Sequence, residues 1–453
     1  MINASSQHPS FRSLPPGVTE VLETFRQSGR EAYLVGGCVR DLLMGRVPND
    51  YDVTTSALPE ETEAIFSGRR VVENGIKHGT VTVLMDDLPI EVTTFRSDGT
   101  YSDGRHPDSV SFARTVEEDL RRRDFTVNAI AYRPETGILD PWGGTEDLKN
   151  GILRCVGDPK ERFGEDALRI LRLARFVSKL GFAPEAATAE AAVEMRERLR
   201  LVSAERVYAE CTKLLCGDYA ERALLKFHAV LSVWLPELGA CVGFPQITNY
   251  HCYDVYTHTC KVVSGVRPDP VLRWAALLHD IAKPACHEFY DGRSHFRGHA
   301  VQGEEMAGTI LHRLRAENRL TAAVRTLVRR HDDLTDGSRT RTLRLLSKIG
   351  PENALLLTEL MEADNEAKSE LGRRAVPRVR AMREQINELL ESGACLHVSD
   401  LAVHGDDLIA AGMRPGAPMG KCLETLLGEV QEGILPNERE ALLERAKALK
   451  QTH

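Results

Sequence analysis

The period of the hydrophobic pattern changes once along this chain, near Asp158, and that change restricts the folds open to it. Upstream, short apolar and β-branched runs at Tyr33–Val35, Tyr51–Thr55, Thr80–Met85, Ile90–Phe95 and Val110–Phe112 have the length and composition of strands. Helical patterns at Val18–Gln27, Val39–Met44 and Glu60–Phe66 are interleaved with them. Downstream, nearly every segment reads as amphipathic helix punctuated by Gly and Pro. The expectation is an α+β fold: a head with a mostly antiparallel or mixed sheet, followed by an all-helical remainder. The boundaries this suggests are a head at 1–158, a helical neck at 159–235, a helical body at 236–375 and a helical tail at 376–453. A linker is expected at 236–254, a break near Pro377 and a Gly/Pro-rich turn at 412–420.

Within the head, residues 34–55 carry the most chemistry. An apolar run meets Gly36-Gly37, a helix-like segment with Arg40 follows, and Asp50-Tyr51-Asp52 leads into a β-branched run. Side chains two apart on a strand share a face, so Asp50 and Asp52 point the same way. Paired carboxylates repel unless a cation sits between them, and hard oxygen ligands suit Mg²⁺. Two glycines let the backbone approach phosphates, with Arg40 adding positive potential. Taken singly, each part has a plain alternative, a tight turn or a solvated strand end. Together they suggest nucleotidyl transfer.

Glu91, in Pro-Ile-Glu-Val-Thr-Thr-Phe-Arg, is placed to pair beside the aspartate strand as a third carboxylate for an in-line displacement; the alternative is a strand-end glutamate. The segment Arg96–Asp108 is rich in turn formers and reads as a mobile, substrate-ordering loop. Arg121-Arg122-Arg123-Asp124 is expected to open a helix with Asp124 as N-cap. Three arginines there oppose the helix dipole unless a phosphate, or salt bridges to Glu117, Glu118 and Asp119, offset them. Asp166, Arg169, Arg172 and Arg175 recur every third residue and predict a polar helical ridge, with Leu168, Leu171 and Phe176 on the apolar side. An acceptor and forked donors on one ridge can read a base edge while neutralising a triphosphate.

In order, Gly36-Gly37-x-x-Arg40-Asp41, Asp50-x-Asp52, Arg122-Arg123-Asp124-Phe-Thr-x-Asn and Glu165-Asp166-x-x-Arg169 resemble the motifs of class II tRNA nucleotidyltransferases, the CCA-adding enzymes. Bacterial poly(A) polymerases share most of them. The resemblance implies a polymerase-β-like head in which Asp50 and Asp52 bind Mg²⁺, and Gly37, Arg40 and Arg123 contact triphosphate and sugar. It further implies that Asp166 and Arg169 select CTP or ATP, with Arg172 and Arg175 lining the nucleotide pocket. Ser203-Ala-Glu205-Arg206 is similar to the family's neck motif, and the 96–108 loop to one that favours complete CCA synthesis. The implied activity is template-independent addition of CCA to the 3′ end of tRNA, with tRNA, CTP and ATP as partners.

The body carries a second set. His258, His279-Asp280 and Asp364 resemble the ligands of the HD phosphohydrolase superfamily, and His299 and His331 could supply a second divalent metal. The alternative is a helical RNA-binding body without chemistry. Lys283 would orient a phosphate or cap a helix. In the tail, the glycines from Gly405 to Gly420 resemble the C-terminal region of these enzymes; they would grip an RNA phosphate or form a helix–turn–helix corner.

Composition narrows the classes that remain. A net charge of −8 argues against nonspecific coating of nucleic acid and mildly against a general poly(A) polymerase. Ten cysteines without a Cys-x-x-Cys pair indicate buried thiols rather than a zinc or redox motif. No apolar run is long enough to span a bilayer, and Met1–Pro16 lacks a signal-peptide core, so a cytoplasmic location is expected. The rival readings are a poly(A) polymerase and a phosphohydrolase with a regulatory nucleotide-binding head.

Overall fold

The computed structural model describes residues 11–12, 14–75, 79–98, 110–335 and 337–451. The loop proposed at 96–108 falls largely outside them. Two compact units divide at Pro236/Glu237.

The first unit begins with α1 (Pro16–Gln27), β1 (Ala32–Val35), α2 (Gly37–Leu43), β2 (Tyr51–Thr55) and α3 (Pro59–Ile65). It continues through β3 (Arg70–Gly75), β4 (Thr80–Met85), β5 (Leu88–Thr94), β6 (Arg96–Asp98), β7 (Val110–Phe112) and α4 (Val116–Arg121). After a 3₁₀ turn at Thr126–Asn128 come β8 (Ala131–Arg133) and β9 (Gly137–Leu139). Seven of these strands form a mixed sheet in the order β3-β4-β5-β2-β1-β8-β9. Only β2 and β5 run parallel within it, with Asp52 opposite Glu91.

Strand β1 is buried on both faces, and its side chains alternate between two cores. Leu34 joins Phe25, Val53, Val81 and Ile90, whereas Tyr33 and Val35 join Phe95, Leu120 and Ala131. Each fully buried large apolar side chain contributes roughly 1.5–3 kcal/mol. On the second face, Thr54 donates to the fully buried Asp119 of α4 at 3.3 Å. Asp52, two residues earlier, shares that face at the mouth of the sheet. The edge strand β3 and the short pair β8 and β9 had no clear sequence signal.

Helices α5 (Gly144–Asn150), α6 (Pro159–Glu165), α7 (Leu168–Leu180), α8 (Ala186–Glu194), α9 (Ala204–Leu215) and α10 (Ala220–Leu231) complete this unit. Strands do not vanish at Asp158 as expected. A two-residue parallel pair joins Ile152–Leu153 to Ala183–Pro184, and a hairpin joins Glu288–Tyr290 to Arg293–His295.

The second unit is otherwise helical. Its main helices are α11 (Val255–Gly265), α12 (Pro270–Leu278), α13 (His299–Arg313), α14 (Asn318–Arg330), α15 (Arg339–Glu366) and α16 (Val376–Glu391). Helix α15 is interrupted at Gly350, where φ is +79° and Pro351 follows. The break expected near Pro377 is present: a short helix ends at Arg373, α16 begins at Val376, and Pro377 lies in its first turn, where its missing N–H costs nothing. The last helices, α17 (Gly405–Ala410), α18 (Ala417–Gln431) and α19 (Arg439–Gln451), share an apolar cluster that includes Val403, Leu408, Leu426 and Leu442. The turn expected over 412–420 ends at Gly416, the N-cap of α18, so a short turn joins α17 to α18. All ten cysteines are free; Cys260 is buried, Cys216 only partly so. Among the described residues no helix is long and apolar enough to cross a membrane.

Candidate active site

Residues from β1, α2, β2, β5, α7 and the 122–128 turn line one cavity of about 580 Å³ in the first unit. It brings together Gly37, Arg40, Asp50, Asp52, Glu91 and Arg123 of the expected head with Asp166, Arg169, Arg172 and Arg175 of the expected neck, all the residues singled out from sequence as catalytic or nucleotide-binding at this site.

Its acidic corner is Asp50, Asp52 and Glu91. The parallel pairing of β2 with β5 sets Glu91 beside Asp52. Burial, reinforced by the charges of Asp50 and Glu91, pushes the Asp52 carboxyl up to about 6, with Arg123 pulling the other way. Among the described residues none of the three carboxylates has an ion-pair partner. Three acids crowded together without a counter-ion are a donor set that a hard divalent cation would satisfy.

The positional requirement for glycine falls on Gly36 more than on Gly37. Gly36 has φ +79°, and a Cβ there would lie 2.9 Å from Nη1 of Arg123. At Gly37 a Cβ would make only an ordinary 3.7 Å contact with Arg40. Arg40 is buried; its guanidinium donates to Asp41 at 2.8 Å and to Asn128 Oδ1 at 2.6 Å.

The three successive arginines do not open a helix. Arg121 ends α4, and Arg122 and Arg123 follow it, where positive charge complements the helix dipole. The true N-cap is Thr115, which accepts from the Glu118 N–H at 3.4 Å and is followed by Glu117, Glu118 and Asp119. The salt-bridge alternative holds in part: Arg122 and Arg123 pair with Asp119 at 2.8 and 3.3 Å. Asp119 alone would be raised by burial, but those two arginines hold it below the usual carboxylate range.

Asp124 is likewise no N-cap of a long helix but the hub of a turn. Its Oδ1 accepts from the Phe125 N–H at 2.8 Å and from Asn128 at 3.0 Å, while Oδ2 takes Nε and Nη2 of Arg172 at 2.8 and 2.5 Å. Asn128 in turn holds Arg40, so one buried carboxylate sets the orientation of two cavity arginines.

The ridge is real but not one uninterrupted helix. Asp166 sits in the gap between α6 and α7, where it accepts from the Leu168 N–H at 3.0 Å and from Arg206 at 3.0 Å. Arg169 is mostly buried; it clasps Glu165 at 2.5 Å and the carbonyls of Arg162 and Arg122. Arg175 pairs with Glu210 of α9 at 2.7 Å. Phe176 does not belong to the opposite side. It lines the cavity, and the guanidinium groups of Arg175, Arg40 and Arg172 lie 4.2, 5.4 and 5.6 Å from its ring centroid.

The second unit has a separate polar cluster beside a cavity of about 350 Å³. His258, His279 and Asp364 form one group able to hold a metal, and Asp280, His299 and His331 another. Nε2 of His258 lies 3.0 Å from Asp364, and Nε2 of His279 lies 3.2 Å from Asp280. Nδ1–H of His279, His299 and His331 donates to the carbonyls of Ala276, Phe296 and Val328 at 2.8, 2.8 and 2.7 Å. Those bonds turn each Nε2 inward. His299 and His331 thus meet Nε2 to Nε2 at 3.2 Å, an arrangement that needs a proton or a metal between them. Burial would lower His331, yet Asp332 and Asp280 carry it to about 9. Lys283 neither caps a helix nor stands free: it pairs with Asp280 at 2.6 Å and Gln246 at 2.8 Å. Lys368, not singled out from sequence, pairs with Asp364 at 2.6 Å.

Comparison with known proteins adds three family models. "Poly A polymerase head domain" matches residues 32–154, "Probable RNA and SrmB- binding site of polymerase A" residues 181–241, and "tRNA nucleotidyltransferase domain 2 putative" residues 299–446. A CCA-adding enzyme of Levilactobacillus brevis is 34% identical over 423 residues, covering 93% of this chain and 95% of that protein. One of Geobacillus stearothermophilus is 49% identical over 220 residues, 48% of this chain and 54% of that protein. The crystal structure of the Bacillus stearothermophilus CCA-adding enzyme in complex with CTP superposes with a TM-score of 0.77 at 30% identity, covering 97% of this chain and 99% of the other. With its cavity assembled from the same ordered motifs, the chain belongs to the family of CCA-adding enzymes, the tRNA nucleotidyltransferases.

Proposed function

We propose that this protein adds CCA to the 3′ end of tRNA, using CTP and ATP without a nucleic-acid template. The observation that carries this reading is the single cavity in which Asp50, Asp52 and Glu91 share a space with an arginine-rich wall. In the step proposed, the 3′-hydroxyl of the RNA gives up its proton to water as its oxygen bonds to the α-phosphorus of the nucleotide, the bond from that phosphorus to the α,β-bridging oxygen breaks, and pyrophosphate leaves with that oxygen. Asp50 and Asp52, with Glu91 adjacent, would hold a divalent ion, Mg²⁺ by ligand type; when bound it neutralises charge developing on the reacting oxygens. Gly36 and Gly37 leave room for phosphate oxygens next to Arg123, and Arg40 and Arg123 neutralise them. Arg172 and Arg175 are prevented from collapsing onto those acids by their own partners, Asp124 and Glu210. Asp166, fixed by Arg206 and the Leu168 amide, offers an acceptor edge to the base, and Arg169 fixes the α6–α7 corner that presents it. This is support for base selection by protein groups.

The test is extension of tRNA transcripts ending before the first C, after C and after CC, with CTP and ATP supplied separately. Two C additions and then one A are expected, and Asp50→Ala or Asp52→Ala should reduce them to background. Addition of A to unrelated RNA without incorporation of C would refute the reading in favour of a poly(A) polymerase.

The histidine cluster favours a second reading for the other unit: a divalent metal held by His258, His279, Asp280 and Asp364, with His299 and His331 able to take another. The inward-facing Nε2 atoms, fixed by backbone carbonyls, support it. A metal there supplies Lewis acidity toward a phosphoester. Metal content of the purified protein should fall in His279→Ala while CCA addition persists; unchanged content would count against the site.

A further inference from the structure

The basic side chains along the α7 side of the active cavity are not equivalent. Arg169, Arg172 and Arg175 each face a protein carboxylate, Glu165, Asp124 and Glu210 respectively. Arg206 has Asp166, and Arg122 and Arg123 have Asp119. Lys179, in the last turn of α7, continues the same stripe, seven residues after Arg172 and four after Arg175. It lines the cavity with Asn49 and Asp50, yet among the described residues it has neither a hydrogen bond nor an ion-pair partner.

That position is unfavourable for an ammonium without a ligand. Lys179 is half-buried, and its Nζ is held below the usual lysine range by burial and by the charges of Arg40 and Arg175; Asp41 and Asp50 offset this only in part. A flexible lysine with no structural partner normally extends into water. One retained inside a cavity is a charge left open for an anion.

We propose that Lys179 binds a phosphate oxygen of the incoming nucleotide's triphosphate. The inference rests on the nucleotide reading of this cavity. The direction of α7 chooses the part of the substrate. Ten residues separate Arg169 from Lys179, roughly 15 Å along a helix. Asp166 and Arg169 stand at the N-terminal end, where the base is read. Lys179 stands at the other end, and besides Arg175 on its own helix the charges acting on it are those of Arg40, Asp41 and Asp50, beside the glycine turn and the acidic corner. The reacting phosphates belong there. Because every nucleotide carries the same triphosphate, Lys179 acts on CTP and ATP alike, unlike Asp166.

The test uses the full chain with Lys179→Met, which keeps the aliphatic stem, and Lys179→Arg, which restores a cation. Loss of one charge-assisted contact is expected to raise KM for both CTP and ATP about tenfold. The arginine variant should recover most of that, and KM for the RNA should not move. Inorganic pyrophosphate, used alone as a probe, should raise the thermal unfolding midpoint of the parent protein more than that of Lys179→Met. Without ligand, the methionine variant should unfold at the same temperature or higher, because no protein contact is lost. Unchanged nucleotide KM and pyrophosphate response, with an active parent, would overturn the proposal. A rise confined to the KM for RNA would overturn it by moving the contact to the RNA backbone. A lowered unliganded midpoint would overturn it in favour of a structural role. If the parent adds no CCA, the nucleotide reading fails by itself, and the pyrophosphate comparison still reports on Lys179.

Discussion

Asp124 is the residue whose removal should propagate furthest through the head. Burial alone would raise its carboxyl, but Arg172, Asn128 and Arg169 more than offset this and hold it well below the usual carboxylate range. Asp124→Asn keeps the shape and one acceptor but loses the charge facing Arg172 Nε and Nη2. Loss of a charge-assisted pair costs about 1.5–3 kcal/mol, taken near the lower value because a third of the Arg172 side chain is exposed. Asp124→Ala also orphans Asn128 and the Phe125 amide, which raises the cost to about 3–5 kcal/mol. The sign with pH is fixed by the depressed native value. The stabilisation is fully present above the unfolded carboxylate's pKa of about 3.9 and is lost as pH falls from there toward the native value. Urea denaturation at pH 7 and at several values below 4 should therefore show the parent and Asp124→Asn converging in acid. Combining Asp124→Asn with Arg172→Met should cost less than the sum of the two, by about 0.5–3 kcal/mol. Equal stability of parent and Asp124→Asn at pH 7, or strict additivity in the double variant, would refute the hub assignment.

Gly36→Ala places a side chain in a backbone region reserved for glycine and against Arg123; a loss of about 1–3 kcal/mol is expected in thermal unfolding, with weaker binding of both nucleotides. Asp166→Asn exchanges an acceptor for a donor at the base-facing corner and should erode the choice between CTP and ATP by about 1–3 kcal/mol, measured as the ratio of kcat/KM on a transcript ending in CC. Gly350→Ala should destabilise the second unit by about 1–3 kcal/mol, because φ at that helix break is +79°, while leaving nucleotide KM values in place.

The strands that position the acids were legible because burial on one or both faces leaves a pattern: β1 and β2 are short, apolar and β-branched. Strand β3 was not, because an edge strand of sequence Arg-Val-Val-Glu-Asn-Gly buries too little to impose one. The start of α4 was misplaced although Thr115-x-x-Glu118 is a capping pattern; three consecutive arginines drew the expected N-cap to Asp124, nine residues past Thr115. Asp166 and Phe176 were misassigned for a common reason. Counting residues along an assumed continuous helix cannot see that α7 begins at Leu168, nor that guanidinium groups gather around an aromatic ring. Gly36 and Gly37 are indistinguishable as letters; only the backbone angle and the neighbouring Arg123 separate them. The metal-type geometry of the histidine cluster was invisible in detail because it depends on backbone carbonyls, which every residue has.

The parallel contact between β2 and β5 has a consequence for how such a head tolerates change. Two acids that stand side by side, Asp52 and Glu91, come from strands joined by a crossover containing α3, β3 and β4. Lengthening or shortening that crossover at its turns leaves both acids in place, since the hydrogen-bonded ladder fixes their mutual position. Inserting one residue within either strand ahead of its acid would rotate that carboxylate to the opposite face and dismantle the trio. Insertions scanned through 51–94 should therefore sort into harmless and lethal classes at the strand ends, whatever their chemical character.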